Sequence, residues 1–415
     1  MARAGLWAAG LLIVAAAVGI ALYPRVTRVP YVTPVVEAPA DGNTAAFPGL
    51  LDLIATAPGG TVRVLWTHGM CSHPPSWIDD RVNRLAALVG GSRQSLGGRA
   101  IGTHGATLRK ERIVAGARSV EIAFLSWSAI TEPLKASLTF DESTAFGGDF
   151  PYERATLNRE LKRGLVNNCL VDVVAYAGPN GDAIRRAMID AVCDAVGGRG
   201  SDGNCDMAEA QPPGSLALVT ESLGGKMLFD AIQLVDAIVQ ASRDQAAIER
   251  LSRGLAAAKM IYLLSNQVPL LDSADPPGGA TRETPVFLSR VGISVARAFA
   301  LLARARDRSP PAGGAPEGPL TAVAFSDPND LLSYRLVPAY LGDHPRHFRI
   351  VNVIVSNAAT YLDYVERPDL GHCVYAWNPQ VLAMLAEGHK PGRPPRQLPA
   401  SLSSSCHGEI GLGRR

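Results

Sequence analysis

Six short runs rich in branched and aromatic apolar residues punctuate the chain. They read TVRVLWT (61–67), SVEIAFLSW (119–127), GSLALVT (214–220), KMIYLLS (259–265), LTAVAFS (320–326) and FRIVNVIVS (348–356). Most are apolar at successive positions rather than at every second one, so a strand built from such a run buries both of its faces. Stretches with apolar residues at helical spacing stand between them, at 76–90, 223–241, 244–257 and 286–306. Strands buried on both faces and separated by helices predict an α/β architecture: a mostly parallel, doubly wound sheet covered on both sides. With 415 residues, 47% of them hydrophobic, the chain has ample material for such a core.

Residues 128–212 break the rhythm. They carry two helical patterns, ATLNRELKRGLVNNCL and GDAIRRAMIDAVCDAV, in a connection larger than an ordinary crossover. This segment is expected to form a helical cap inserted between two strands of the sheet. The chain therefore divides into an N-terminal signal-anchor or transmembrane helix (1–30), a linker (31–60), the α/β domain with its insertion (61–395) and a C-terminal tail (396–415).

From Gly5 to Tyr23 no charged residue occurs, a run of about 19 residues against the ~20 that span a bilayer as a helix. The run reads as an uncleaved membrane anchor, as a cleaved signal peptide or as a buried helix, with the body of the chain exported to the periplasm or the cell exterior. The net charge of +2 and the lack of a dense basic run give nothing that points to nucleic acid, and no nucleic-acid partner is expected. Six cysteines suit an exported protein. Pairings of Cys193 with Cys205 and of Cys373 with Cys406 are open, as are buried free thiols. No C-x-x-C pair is present, which argues against a structural zinc site.

The third apolar run ends in LVTESLGGK, and a helical pattern resumes at once. Strand, serine and helix in immediate succession describe a nucleophile elbow with Ser222 at its apex. Small residues are needed two places to either side, because the chain crowds itself there. Gly224 meets that need, Gly225 lets the helix lie close to the sheet, and Thr220 departs from the glycine pattern. The helix N-terminus adds positive potential beside the Ser222 oxygen. A plain helix N-cap is the competing reading of this serine.

The first run ends in THGM. A His68-Gly69 step at that place suits an oxyanion loop, with the N–H groups of Met70 and Leu223 as donors and His68 as a structural residue. An ordinary strand-to-helix turn is the alternative. A general base is expected late in the chain, and His372, in LGHCVY beyond the last run, has that place. The acid that orients it is Asp330 or Asp327 in SDPND, with Asp330 favoured because its loop turns back toward His372. The same stretch lacks the ligands of a calcium loop, so no metal is expected.

Ser222, Asp330 and His372, in this order after successive strands, resemble the nucleophile, acid and base of the α/β-hydrolase fold superfamily. The resemblance rests on THGM, TESLGG, SDPND and LGHCVY and covers about residues 61–390 without the insertion. It implies a serine hydrolase of the esterase or lipase kind, working through an acyl-enzyme on a small-molecule or lipid ester, without cofactor. An acyltransferase, a thioesterase and a noncatalytic binding protein are the alternatives on the same fold. Trp77, Trp127 and Tyr375 are candidates for an acyl pocket or for plain core.

Overall fold

The six apolar runs become six neighbouring parallel strands. The structure, a computed structural model, describes residues 13–14, 27–37, 45–102, 104–274, 293–309 and 318–393. Its main sheet comprises β1 (Val35–Val36), β2 (Thr61–Thr67), β3 (Ser92–Ile101), β4 (Ala106–Ala115), β5 (Arg118–Ser126), β6 (Leu216–Glu221), β7 (Ala258–Leu264), β8 (Leu320–Ser326) and β9 (Phe348–Ile354). Their spatial order is β1-β9-β8-β7-β6-β2-β5-β4-β3. From β5 to β9 every pairing is parallel. The edges are antiparallel: β1 on β9 at one side, β4 and β3 at the other.

Side chains alternate across the sheet, as the pleat requires. Leu216 and Leu218 of β6 face one layer, and Ala217 and Val219 face the other. The first layer holds α3 (Gly181–Ala195), α4 (Leu223–Ala241), α5 (Gln245–Ala256) and α6 (Ile293–Arg308). The second holds α1 (Leu50–Thr56), α2 (Ser76–Val89) and α8 (Pro379–Glu387). Local chemistry sets the helix ends. Asp244 accepts from the N–H groups of Ala246 and Ala247 at the start of α5 (2.9 and 3.2 Å), and Gly90 closes α2 at φ +72°.

The winding places the crevice. From β2 the chain goes first to β5 on one side and later to β6 on the other. The loops leaving β2 and β6 therefore diverge, and a gap opens at their carboxyl ends, where ligands bind in open α/β sheets.

Three segments differ from expectation. The hairpin of β3 and β4 was not apparent in the sequence, because β3 is an exposed edge strand rich in Ser, Arg, Gln and Gly. Its polar character protects the edge, and Arg93 and Arg109 close over the buried Glu111 with Asp79. The stretch read as a linker contains α1, whose Leu50, Leu53 and Ile54 are buried in the core. The insertion splits in two: α3 belongs to the layer on the sheet, and the helical run 156–177 lies beside the loop after β2. Residues 1–30, apart from 13–14 and 27–30, lie outside the described residues, as does the tail 396–415. Among the described residues no helix is long and apolar enough to cross a membrane.

Candidate active site

β6 ends at Glu221 and α4 begins at Leu223, leaving Ser222 alone to turn the chain. It does so at φ +52°, ψ −120°, a conformation that costs a non-glycine residue energy and recurs at functional sites. The Ser222 N–H donates to Leu264 O at 2.7 Å, which pins the strained turn to the neighbouring strand end. Two glycines make the turn feasible. A Cβ on Gly69 would stand 2.6 Å from Ser222 Cβ, and one on Gly224 would stand 2.9 Å from Thr67 Cγ2. Thr220 fits because its hydroxyl turns toward Gly225, where even a Cβ would keep 3.6 Å from it.

Ser222 Oγ donates to His372 Nε2 at 2.8 Å, and His372 Nδ1 donates to Asp330 Oδ1 at 2.8 Å. The three side chains come from the ends of β6 and β8 and from α7 (Pro368–Cys373), and all are buried. Asp330 is held from every side. Its Oδ2 accepts from Ser265 Oγ at 2.6 Å and from Tyr375 OH at 2.9 Å, and its Oδ1 accepts from Leu332 N–H at 3.0 Å. Burial pushes its pKa up, but the charge and hydrogen bond of His372, with Ser265 and Leu332, bring it below the usual carboxylate value. Ser265 Oγ also lies 2.9 Å from His372 Nδ1, and Gln267 Nε2 donates to His372 Nε2 at 3.0 Å.

Asp327, the alternative acid, points elsewhere. Its oxygens accept from the N–H groups of Asn329 (2.9 Å) and Asn357 (2.6 Å), so it shapes the loops after β8 and β9. Burial raises its pKa above the ordinary value. Glu366 is its neighbour, and there burial first, then the charge of Asp327, pushes the carboxyl up to about 7.

The loop after β2 brings Gly69 and Met70 against Ser222. Cys71 follows at φ +83°; its N–H donates to Asp172 Oδ2 at 2.7 Å, and its sulfur is bonded to Cys169. Asp172 is buried and paired with Lys135 at 3.1 Å. The loop is thus clamped to the helical run 156–177 by a covalent bond and by a backbone hydrogen bond to a charged group. His68 sits beneath it, fully buried, stacked on Trp127 with centroids 5.0 Å apart. Its Nδ1 donates to Gly69 O (2.8 Å) and its Nε2 accepts from Trp127 N–H (3.1 Å), so both ring nitrogens are engaged in structure. Leu223 opens α4, and its N–H therefore stands outside the helical ladder.

Below the turn, Glu221 accepts from Trp66 Nε1 (2.8 Å) and forms a buried pair with Arg81 (3.2 Å). Arg81 is itself held between the rings of Trp77 and Trp377, 5.3 and 5.0 Å from their centroids. Breaking such a pair from one side leaves a buried charge, at a cost of about 3–5 kcal/mol.

A cavity of about 30 Å³ touches Ser222, with Met70, Cys71, Leu264 and Tyr375 in its wall. That volume admits about two waters. Tyr375 lines it, whereas Trp77 and Trp127 are fully buried core residues packed around His68. A larger cavity of about 510 Å³ lies near the start of β2, lined by Arg63, Arg99, Lys110 and Asp194; it holds none of the residues around Ser222. Among the described residues no group of three or more His, Cys, Asp or Glu side chains is placed to hold a metal ion.

Sequence reasoning missed Ser265, Gln267, Glu221 and the orienting role of Tyr375. The signal for the first two was present in LLSNQVP, where three polar residues close an apolar run at the carboxyl edge of the sheet. Cys193 pairs with Cys205, one of the open pairings, while the Cys71–Cys169 bond joins residues 98 apart and had no local signal. Cys406 lies outside the described residues. No protein-family model, no curated protein and no solved structure matches the chain.

Proposed function

We propose that the protein is a serine hydrolase of carboxylic esters on an α/β-hydrolase fold. One observation carries the reading: the unbroken hydrogen-bonded line from Ser222 Oγ through both nitrogens of His372 to Asp330. A hydroxyl in that line, on a strained turn at the N-terminus of a long helix, is arranged for nucleophilic attack. Ser222 Oγ bonds to the ester carbonyl carbon as His372 Nε2 takes its proton. The N–H groups of Met70 and Leu223 receive the oxyanion. His372 passes the proton to the departing alcohol oxygen as the ester C–O bond breaks. Water then attacks the acyl-enzyme, giving one proton to His372, and Ser222 recovers it as the acid leaves.

The helical run 156–177, tied to the loop after β2, serves as part of a cap in this reading. The cavity beside Ser222 holds only about 30 Å³, so in this reading a substrate larger than a few atoms needs the cap or the loop to shift. Two disulfides support an oxidising, exported setting, and the apolar run from Gly5 to Tyr23 supports an anchored chain.

A fluorophosphonate probe tests the chemistry. The protein labels with one equivalent, and Ser222→Ala abolishes both labelling and turnover of p-nitrophenyl esters. A folded protein that neither labels nor turns over esters would falsify the proposal.

A further inference from the structure

Apolar side chains in water are ordinarily scattered, and a cluster of them marks a surface that something covers. Val29, Val32, Tyr361, Leu362, Tyr364 and Val365 are 42, 71, 45, 68, 92 and 51% exposed. Tyr361, Leu362, Tyr364 and Val365 lie on one hairpin, and Val29 directly follows the strand paired with it. Thr27 and Arg28 pair antiparallel with Tyr361 and Thr360, and Thr360 and Tyr361 pair in turn with Glu366 and Val365. Further bonds hold the stretch after Arg28 to the same side of the molecule. Tyr31 N–H donates to Ser356 Oγ at 2.9 Å, and Gln380 Nε2 donates to Val32 O at 2.5 Å.

The turn of this hairpin is not chosen for folding. Leu362 and Asp363 both stand at φ +54°, within the three-residue connection Leu362-Asp363-Tyr364 between Tyr361 and Val365, a conformation that favours Gly or Asn. Placing leucine there costs backbone energy and leaves an apolar side chain in water. The one charge at the tip is neutralised, since Asp363 pairs with Arg28 at 3.0 Å. Tyrosine beside an apolar tip is the composition of a membrane interface.

Position supplies the occupant. The uncharged run of the sequence ends at Tyr23, four residues before Thr27. Four residues reach at most about 14 Å. A bilayer holding that run therefore lies within the same distance of the strand that carries the patch. At its other end the hairpin leads directly into α7, which bears His372.

We infer that the 361–365 hairpin is a bilayer contact, which seats the segment leading into α7 and His372 at the membrane. The inference rests on the proposed anchor at 5–23. The patch carries no net charge, so it binds neutral phosphatidylcholine without an anionic lipid.

The test uses the full chain, reconstituted in phosphatidylcholine vesicles with brominated acyl chains, in a Trp7→Phe background that removes the tryptophan of the apolar run. Tyr364→Trp reports on the hairpin. Leu96→Trp, on β3 at the opposite edge of the sheet, is the control. Bromolipid is expected to lower the added emission of Tyr364→Trp at least ~2-fold more than that of Leu96→Trp, since contact quenching requires the ring to reach the acyl region. Equal emission changes in protein that resists alkaline carbonate extraction overturn the hairpin contact and leave the anchor standing. Protein stripped from the vesicles by carbonate overturns the anchor, and the inference with it.

Discussion

The hydroxyl of Ser265 donates to Asp330 across 2.6 Å, on the carboxylate oxygen that His372 does not use. Asp330 is thereby held beside the imidazole, with Tyr375 as the second support. Ser265 itself stands at φ +56°, a second strained non-glycine residue at a strand end of the site.

Ser265→Ala removes one hydrogen bond to a buried charge, worth about 1.5–3 kcal/mol. kcat for p-nitrophenyl acetate is expected to fall roughly 10-fold or more, with KM little changed. The sign of the pH effect follows from the balance on Asp330. Its pKa is depressed overall, so its contribution to stability is present above its unfolded pKa and is lost as pH falls through the folded value. Losing the Ser265 donor raises that folded value, so the acid loss of stability sets in at higher pH in Ser265→Ala than in wild type. Superimposable Tm–pH curves on the acid side would remove Ser265 from the support of Asp330.

Asp330→Asn leaves the imidazole without its anionic partner and disfavours the required tautomer. A fall in kcat of about 10⁴-fold is the magnitude seen when a triad acid becomes an amide. Asp327→Asn, in contrast, loosens the loop at Asn329 and Asn357 and leaves His372 in place, so its fall is far smaller. Steady-state turnover of the two variants side by side distinguishes the acids. Equal losses would refute the assignment to Asp330.

The bond between Cys71 and Cys169 closes a loop of 98 residues, for which chain entropy predicts about 4–5 kcal/mol. Reduction should therefore lower Tm, and it should also lower kcat, because Cys71 adjoins the proposed donor Met70. The Cys193–Cys205 bond closes a 12-residue loop far along the insertion. Cys193→Ala/Cys205→Ala is expected to keep kcat while losing some Tm. Thermal scans and turnover of Cys71→Ala/Cys169→Ala beside Cys193→Ala/Cys205→Ala decide whether the first bond supports chemistry as well as stability.

Glu366 gives the fold a pH dependence of opposite sign. Burial, and then the neighbouring charge of Asp327, hold its folded pKa at about 7, above the unfolded carboxyl value. Stability is then greatest below the unfolded pKa and declines as pH rises through the folded one. Wild-type Tm is expected to drop between pH 5 and pH 8, and Glu366→Gln to flatten that slope. A slope unchanged by the substitution would assign it to another group.

The parallel strands could be read from the chain because burial on both faces leaves no polar alternation to confuse them: the runs at 61–67 and 320–326 coincide with β2 and β8. Ser222 was legible for a similar reason, since a hydroxyl between Val219 and Gly224-Gly225 has few uses. β3 was not, because an edge strand bears residues chosen against pairing, and SRQSLGGRAI carries no apolar period. Ser265 and Cys169 escaped notice because each matters only through a contact made across 65 or 98 residues, with Asp330 and Cys71.

Met70 is proposed to act through its backbone N–H, while its side chain lines the cavity beside Ser222. Adjacent Gly69 has no such latitude, since any β-carbon there collides with Ser222. A library randomised across both positions should thus return a single solution at 69 and many at 70. Under the proposed hydrolysis, substrate preference can drift at one residue while the chemistry stays locked by its neighbour.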